Sequence, residues 1–177
     1  MLRGARFSLR FAPVRRERDL VLGLGSNLGD RRAHLDDARA RIAALPGVRV
    51  VAASHLYETA PVGPPQPDYL NAALRVTCTL EPRVILTSLL AIEANDGRDR
   101  DREVRFGART IDLDVLWIRG ESVNEPDLIV PHPRLHERAF ALTPLYEVAP
   151  DAVHPETGAA WAVPPADFRR TPWSPNA

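Results

Sequence analysis

Residues 111–115 read Ile-Asp-Leu-Asp-Val, and this alternation constrains the fold more than any other stretch. In a strand, residues two apart point to the same face, with α-carbons roughly 6.5–7 Å apart. Ile111, Leu113 and Val115 therefore face one way, into a core. Asp112 and Asp114 face the other way, side by side. A sheet holding this strand packs on one face and leaves acids on the other.

The neighbouring segments say what that sheet is made of. Leu20 to Gly25 reads as a buried strand ending in glycines. Leu35, Ala38, Ile42 and Leu45 recur at helical spacing, and Pro46-Gly47 stops that helix. Val48 to Tyr57 reads as a second strand. Thr59 to Asp68 holds four prolines and reads as an irregular loop. Tyr69 to Leu80 is a third strand. Pro82 suits a first helical turn, and Val84, Leu86, Leu89, Leu90 and Ile92 supply an apolar stripe. Thr110 to Ile118 is the fourth strand, and Glu137 to Val148 a third helix. The order is β-α-β-β-α-β followed by additions. It predicts an α+β, ferredoxin-like fold: an antiparallel-rich sheet with helices on one face and C-terminal additions. Residues 1–19 read as an Arg-rich, disordered extension, 20–160 as the folded domain, and 161–177 as a Pro-rich tail.

At 177 residues the chain has the length of one domain,. Its 45% hydrophobic and 26% charged residues exclude a wholly disordered chain and a coiled coil,. No apolar run reaches 18 residues, so no membrane span is expected. Lys plus Arg balances Asp plus Glu at 23 each. An overall basic field for nucleic acid is absent, and an anion site must come from local clustering. All the basic residues are Arg, which excludes lysine Schiff-base chemistry and leaves guanidinium as the only side-chain cation besides histidine. Cys78, the single cysteine, reads as a small buried hydrophobe.

Adjacent carboxylates repel unless a positive group sits between them. Mg²⁺ fits where phosphate chemistry is involved, held by one or two carboxylates and completed by substrate phosphates. A half-exposed strand with alternating acids reads the same way, so the pair alone does not decide. The loop ahead of it weighs toward phosphate. Gly97 to Arg109 holds five arginines in thirteen residues (Arg98, Arg100, Arg102, Arg105 and Arg109), interleaved with Asp99, Asp101 and Glu103. Guanidinium clusters bind phosphates through forked hydrogen bonds. Gly23-Leu-Gly-Ser-Asn-Leu-Gly29 misses the dinucleotide spacing by one residue and lacks a P-loop lysine, so it reads as a tight strand-to-helix turn. Tyr69 and Asn71, two apart on one strand face, would suit a flat heterocycle by stacking and hydrogen bonding. His132, braced by Pro131 and Pro133, is a candidate phosphate contact. His34, His55, His136 and His154 show no metal-ligand spacing.

In this order, Gly23–Asp30, Tyr57–Ala73, Glu93–Leu116 and Val130–Pro150 resemble the 6-hydroxymethyl-7,8-dihydropterin pyrophosphokinase family of folate biosynthesis. The most specific stretch is Arg105-Phe-Gly-Ala-Arg-Thr-Ile-Asp-Leu-Asp-Val-Leu116, with Pro131-His132-Pro133 downstream. The resemblance implies transfer of a pyrophosphoryl group from ATP to the pterin hydroxymethyl oxygen, with release of AMP. It implies that Asp112 and Asp114 hold two Mg²⁺ ions. It implies ATP contacts at Glu93, Arg98, Arg100, Arg109, His132 and Arg138, with Arg98 and Arg109 catalytic alongside the aspartates. The pterin pocket it implies is Thr59, Val62, Tyr69, Asn71 and Phe140. The expected partners are these two small substrates, with no nucleic acid or membrane, and the expected working form is a cytoplasmic monomer. Two other readings use the same residues: a metal-dependent phosphoesterase, or a non-enzymatic RNA-binding module of ferredoxin-like fold.

Overall fold

The computed structural model describes residues 16–98 and 107–174. Strand β1 (Arg18–Ser26) is central. It pairs antiparallel with β4 (Tyr69–Cys78) on one side and with β5 (Asp112–Ile118) on the other. Strands β2 (Val48–Ala53) and β3 (Leu56–Thr59) both pair antiparallel with the far side of β4. These pairings realise the expected antiparallel ferredoxin-like core.

Leu20, Leu22 and Leu24 alternate along β1 and point to the face covered by α1 (Arg31–Ala43) and α2 (Pro82–Asn95). Ile111, Leu113 and Val115 turn to the same core, as their alternation predicts. Asp30 caps α1, its carboxylate accepting from the Ala33 N–H at 3.0 Å. The buried stripe of α2 is Ile85, Leu89 and Ile92, with Glu93 beside it, whereas Val84 is exposed. The run Val84-Ile85-Leu86 is apolar all round, so the stripe could be phased one residue early. The charged residue on the buried side, Glu93, is what an apolar count misses.

The two helices of the core thus share one face. The third, α3 (Ala139–Val148), is an addition that packs on the opposite face, with Leu142 and Leu145 against Val21, Ala73, Leu116 and Trp117. A bulge makes this packing work. Across from β1 the register steps from Val115 to Trp117, leaving Leu116 extra, so Leu116 and Trp117 both reach the α3 face. Trp117 Nε1 donates to the Val153 carbonyl at 2.8 Å.

The single strand expected over Val48–Tyr57 is broken. The Ser54 hydroxyl accepts from the Ala73 N–H at 2.9 Å and donates to the His55 carbonyl at 2.7 Å. A side chain takes the place of one rung of the ladder, and β3 restarts beyond it. Val123–Glu125 (β6) and Leu128–Val130 (β7) form a small hairpin outside the expected β-α-β-β-α-β order. At each end the chain is more engaged than expected. Arg18, inside the segment read as an extension, starts β1 and pairs with Glu81 and Glu121. Within the Pro-rich segment, Arg169–Thr171 forms β8 on the edge of β3. Trp173 is buried in the α1 core, its Nε1 donating to Asp36 at 2.6 Å.

Candidate active site

The α3 face of the sheet carries a row of aligned positions. Asp112 on β5 lies opposite Gly25 on β1, Gly25 opposite Asn71 on β4, and Asn71 opposite Tyr57 on β3. Asp114 lies opposite Gly23. The two glycines leave the floor bare. A Cβ on Gly25 would sit 2.8 Å from Asn71 Oδ1, and one on Gly23 would meet Leu116 at 3.0 Å. Their requirement is close approach, not a dinucleotide loop. Over this floor opens a cavity of about 190 Å³, walled on one side by Phe140, Ala141 and Arg138.

The cavity gathers residues scattered along the sequence from Gly23 to Ala141. Asp112, Asp114, Arg109 and Arg138 line its charged end. Thr59, Val62, Tyr69, Asn71 and Phe140 line the rest. Asn71 Nδ2 donates to Thr59 Oγ1 at 2.8 Å. That bond leaves the amide oxygen, near the Gly25 α-carbon, as an acceptor set in the floor. Val62 is 55% exposed, an apolar side chain at the cavity's edge.

Electrostatics at the acid pair are asymmetric. Asp112 receives Arg98 Nη1 at 2.6 Å and Arg109 Nη1 at 3.0 Å. Asp114 has Arg138 at 3.9 Å and is more open to solvent. Two carboxylates on one strand face are thus held by guanidiniums from three separate segments. Arg98 is buried, against the expectation of a loop arginine over the nucleotide. Its Nη1 also contacts Glu93 and the Ile111 carbonyl. Glu93 is 1% exposed and accepts from the Leu113 N–H at 2.7 Å. Glu93 and Arg98 therefore form an anchor at the start of β5, on the α2 side, and neither lines the cavity. Arg100 lies outside the described residues.

His132 is half-buried and also lies beyond the cavity lining. Its backbone N–H donates to the Leu116 carbonyl at 3.1 Å, and its Nδ1 accepts from the Arg134 N–H at 3.1 Å. Burial first, and then the Arg138 guanidinium, push its pKa down to about 4. The ring is neutral at pH 7, and with Nδ1 used as acceptor its proton sits on Nε2.

Sequence reasoning missed Asn27. Its side chain accepts from the Arg109 N–H at 2.7 Å and donates to Gln66 Oε1 at 2.9 Å and the Pro67 carbonyl at 3.0 Å. One buried amide joins the first turn, the proline loop and the Arg109 segment. The only sequence signal is a polar residue in a strand-to-helix turn, which turn chemistry alone explains. Arg134 and Glu137, paired at 2.7 Å on the rim, were also unforeseen.

Among the described residues no group of three or more His, Cys, Asp or Glu is set to hold a metal ion. Two hard carboxylate donors beside an open cavity fit Mg²⁺, which takes few protein ligands and fills its shell with water and phosphate oxygens. No helix among the described residues is long and apolar enough to cross a membrane.

Comparison with known proteins gives the family. The family described as 7,8-dihydro-6-hydroxymethylpterin-pyrophosphokinase (HPPK) matches residues 21–150. The chain is 49% identical over 133 residues to the 2-amino-4-hydroxy-6-hydroxymethyldihydropteridine pyrophosphokinase of Methylorubrum extorquens, covering 75% of this chain and 83% of that one. It is 40% identical over 138 residues to the protein of the same name from Synechocystis, covering 78% of this chain and 70% of that one. A crystal structure of Plasmodium falciparum HPPK-DHPS superimposes with a TM-score of 0.62 over 81% of this chain at 13% identity, a likeness of fold. This chain spans 43% of that longer one. From the matched length and the bacterial identities, the chain belongs to the 7,8-dihydro-6-hydroxymethylpterin-pyrophosphokinase family of pyrophosphoryl-transfer enzymes.

Proposed function

We propose that the family's reaction runs in this cavity, with its two ends serving different substrates. ATP donates its β,γ-pyrophosphoryl group to the hydroxymethyl oxygen of 6-hydroxymethyl-7,8-dihydropterin, and AMP leaves. The observation that carries the reading is the aligned row of Asp112, Gly25 and Asn71. It sets an acid pair suited to Mg²⁺ and polyphosphate beside an amide suited to a heterocycle, across a floor without side chains.

Asp112 and Asp114 would hold two Mg²⁺ ions, whose chemistry is to neutralise the triphosphate and to acidify the attacking hydroxyl. The chain's own residues do the rest. Asn71 and Thr59 meet the polar edge of the pterin, and Phe140 and Tyr69 pack its rings. This orients the hydroxymethyl oxygen toward the β-phosphorus. The new bond forms from that oxygen to phosphorus, and the bond from phosphorus to the AMP oxygen breaks in line. The hydroxyl proton passes to solvent water, and the negative charge collects on AMP. Arg109 and Arg138 stabilise that charge, and neutral His132, beyond the cavity lining, is assigned through Nε2–H to a phosphate that extends past the cavity. Arg100 is assigned to the triphosphate as well. Glu93 and Arg98 act on the nucleotide end by fixing Asp112. The proposed working unit is a monomer, since one chain supplies residues for both substrates, and its proposed place is the cytoplasm.

The test is product analysis with purified protein, ATP and Mg²⁺, with and without the reduced pterin alcohol. AMP that forms only with the pterin, one for one with pterin diphosphate, is the expected result. ADP, or AMP formed equally without pterin, would overturn the reading in favour of γ-transfer or hydrolysis.

A further inference from the structure

Helix α3 walls the cavity through Phe140 and Ala141, and the sheet floors it through Asn71 and Thr59. Apolar packing of Leu142 and Leu145 holds α3 on the sheet. That attraction is non-directional and tolerates a small slide. A polar junction outside the cavity is directional. Glu147 follows Phe140 by seven residues, two turns along α3 and on the same helix face,. Its carboxylate accepts from the Tyr57 hydroxyl at 2.6 Å and from the His55 backbone N–H at 3.1 Å, and it touches His55 Nδ1. Tyr57 is 4% exposed, and Phe168 packs against it in a T-shaped pair with ring centres 6.3 Å apart. Tyr57 lies directly opposite Asn71, and on β3 it shares a face with Thr59,. The junction and the cavity are therefore two ends of one interface, α3 above and β3–β4 below.

We infer that Glu147 is a positioning residue for the heterocycle: by gripping Tyr57 and His55 it sets how far Phe140 stands from Asn71 and Thr59. A flat ring between them gains its packing only at van der Waals separation, so a shift of a few tenths of an ångström is felt. At the nucleotide end Asp112, on β5, is held by Arg98 and Arg109, and Arg138, at the start of α3, reaches Asp114 at 3.9 Å through a long flexible side chain that takes up so small a shift. The role rests on the proposed assignment of this part of the cavity to the pterin.

The experiment compares the full-length chain with its Glu147→Ala and Glu147→Gln variants in steady-state turnover, and measures KM for each substrate. Glutamine keeps an acceptor for the Tyr57 hydroxyl. Glu147→Ala is expected to raise the pterin KM about tenfold or more, with ATP KM within about twofold. Glu147→Gln is expected to bring the pterin KM back to within about threefold of the parent chain. An unchanged pterin KM in Glu147→Ala overturns the role, as does an equal rise in both KM values with a lowered melting temperature. If Glu147→Ala does not fold, Tyr57→Phe removes only the hydroxyl. A selective rise in pterin KM then supports the role, and an unchanged pterin KM overturns it. The parent chain separates this outcome from the function itself: absence of pterin-dependent AMP there is a failure of the proposed reaction. In that event the lever is read by calorimetry with 6-hydroxymethylpterin and a non-hydrolysable ATP analogue. Weaker pterin binding by Glu147→Ala alone supports it, and equal binding by all three chains overturns it.

Discussion

Asp112 and Asp114 are chemically alike and differently placed. Asp112 is clasped by Arg98 and Arg109, whereas Asp114 meets Arg138 at a looser 3.9 Å. The guanidinium of Arg109 reaches into the cavity while its backbone N–H is pinned by Asn27. Truncation of Arg109 to Ala removes charge from where it develops in the transition state, and kcat should fall about 10²-fold or more. An unchanged kcat would leave Arg109 a structural partner of Asp112. Gly25→Ala tests the floor directly. Its Cβ would crowd Asn71 Oδ1 at 2.8 Å, so the pterin KM should rise with little change in melting temperature; the reverse pattern would mean that the floor serves packing alone. His132 gives a pH signature. Burial and Arg138 hold its pKa at about 4 in the fold, against roughly 6.5 in the unfolded chain. Between these values the unfolded chain binds more protons. Stability is therefore full above about pH 6.5 and is lost as pH falls through 4. Urea unfolding at steps from pH 7 to 4 should show this loss, and His132→Gln should flatten it. An equal slope in both chains would remove His132 as the source.

At the scale of elements, what alternation and caps encode was legible and what side chains do to the ladder was not. The acid pair on β5 and the apolar set behind it follow from period-two spacing alone. The Leu116 bulge does not, because an inserted residue leaves the composition of the strand unchanged and alters only its register. The break at Ser54 is similar: serine is common in strands, and only the nearby Ala73 N–H makes it a substitute rung. Helix α3 was legible as a helix, but its side of the sheet was not, since apolar residues on both faces of β1 accept a partner. The Glu93–Arg98 anchor lay hidden because burial of a charge is invisible without its partner. Glu93→Ala would take one of two carboxylates from the buried Arg98 guanidinium, leave the Leu113 N–H unpaired and loosen Asp112. Breaking such a buried pair costs about 3 kcal/mol, toward the lower end because Asp112 still faces Arg98. Chemical denaturation measures the cost, and a loss below about 1 kcal/mol would contradict the anchor.

Across the whole molecule, the cavity-lining residues come from the start, middle and end of the matched region and meet through the sheet. The resemblance of short ordered motifs made most of that set legible. It did so for Asn71, Thr59, Phe140 and the aspartates, which line one cavity. It did not foresee that Arg98 would turn inward, since a loop arginine reads as solvent-facing until its buried carboxylate is known. The chain's last described stretch is also part of the fold. Trp173 fills the core beside α1, is stacked by Arg39 at 5.0 Å and binds Asp36. Trp173→Ala should cost about 3 kcal/mol, as large core truncations do. A change within about 0.5 kcal/mol, the range of surface substitutions, would show the tail to be an ornament of the domain.

The measurement that tests the central claim most directly is pterin-dependent AMP formation by Asp112→Asn and Asp114→Asn beside the parent chain, over a range of Mg²⁺. Each variant keeps the side-chain shape and removes one charge. The account predicts that AMP formation falls about 10²-fold or more in each, on the scale of a lost electrostatic contact at the reacting phosphates, while the melting temperature holds. Near-parental AMP formation in either variant would contradict it, because the acid pair would then not be where the reaction's metal chemistry is held.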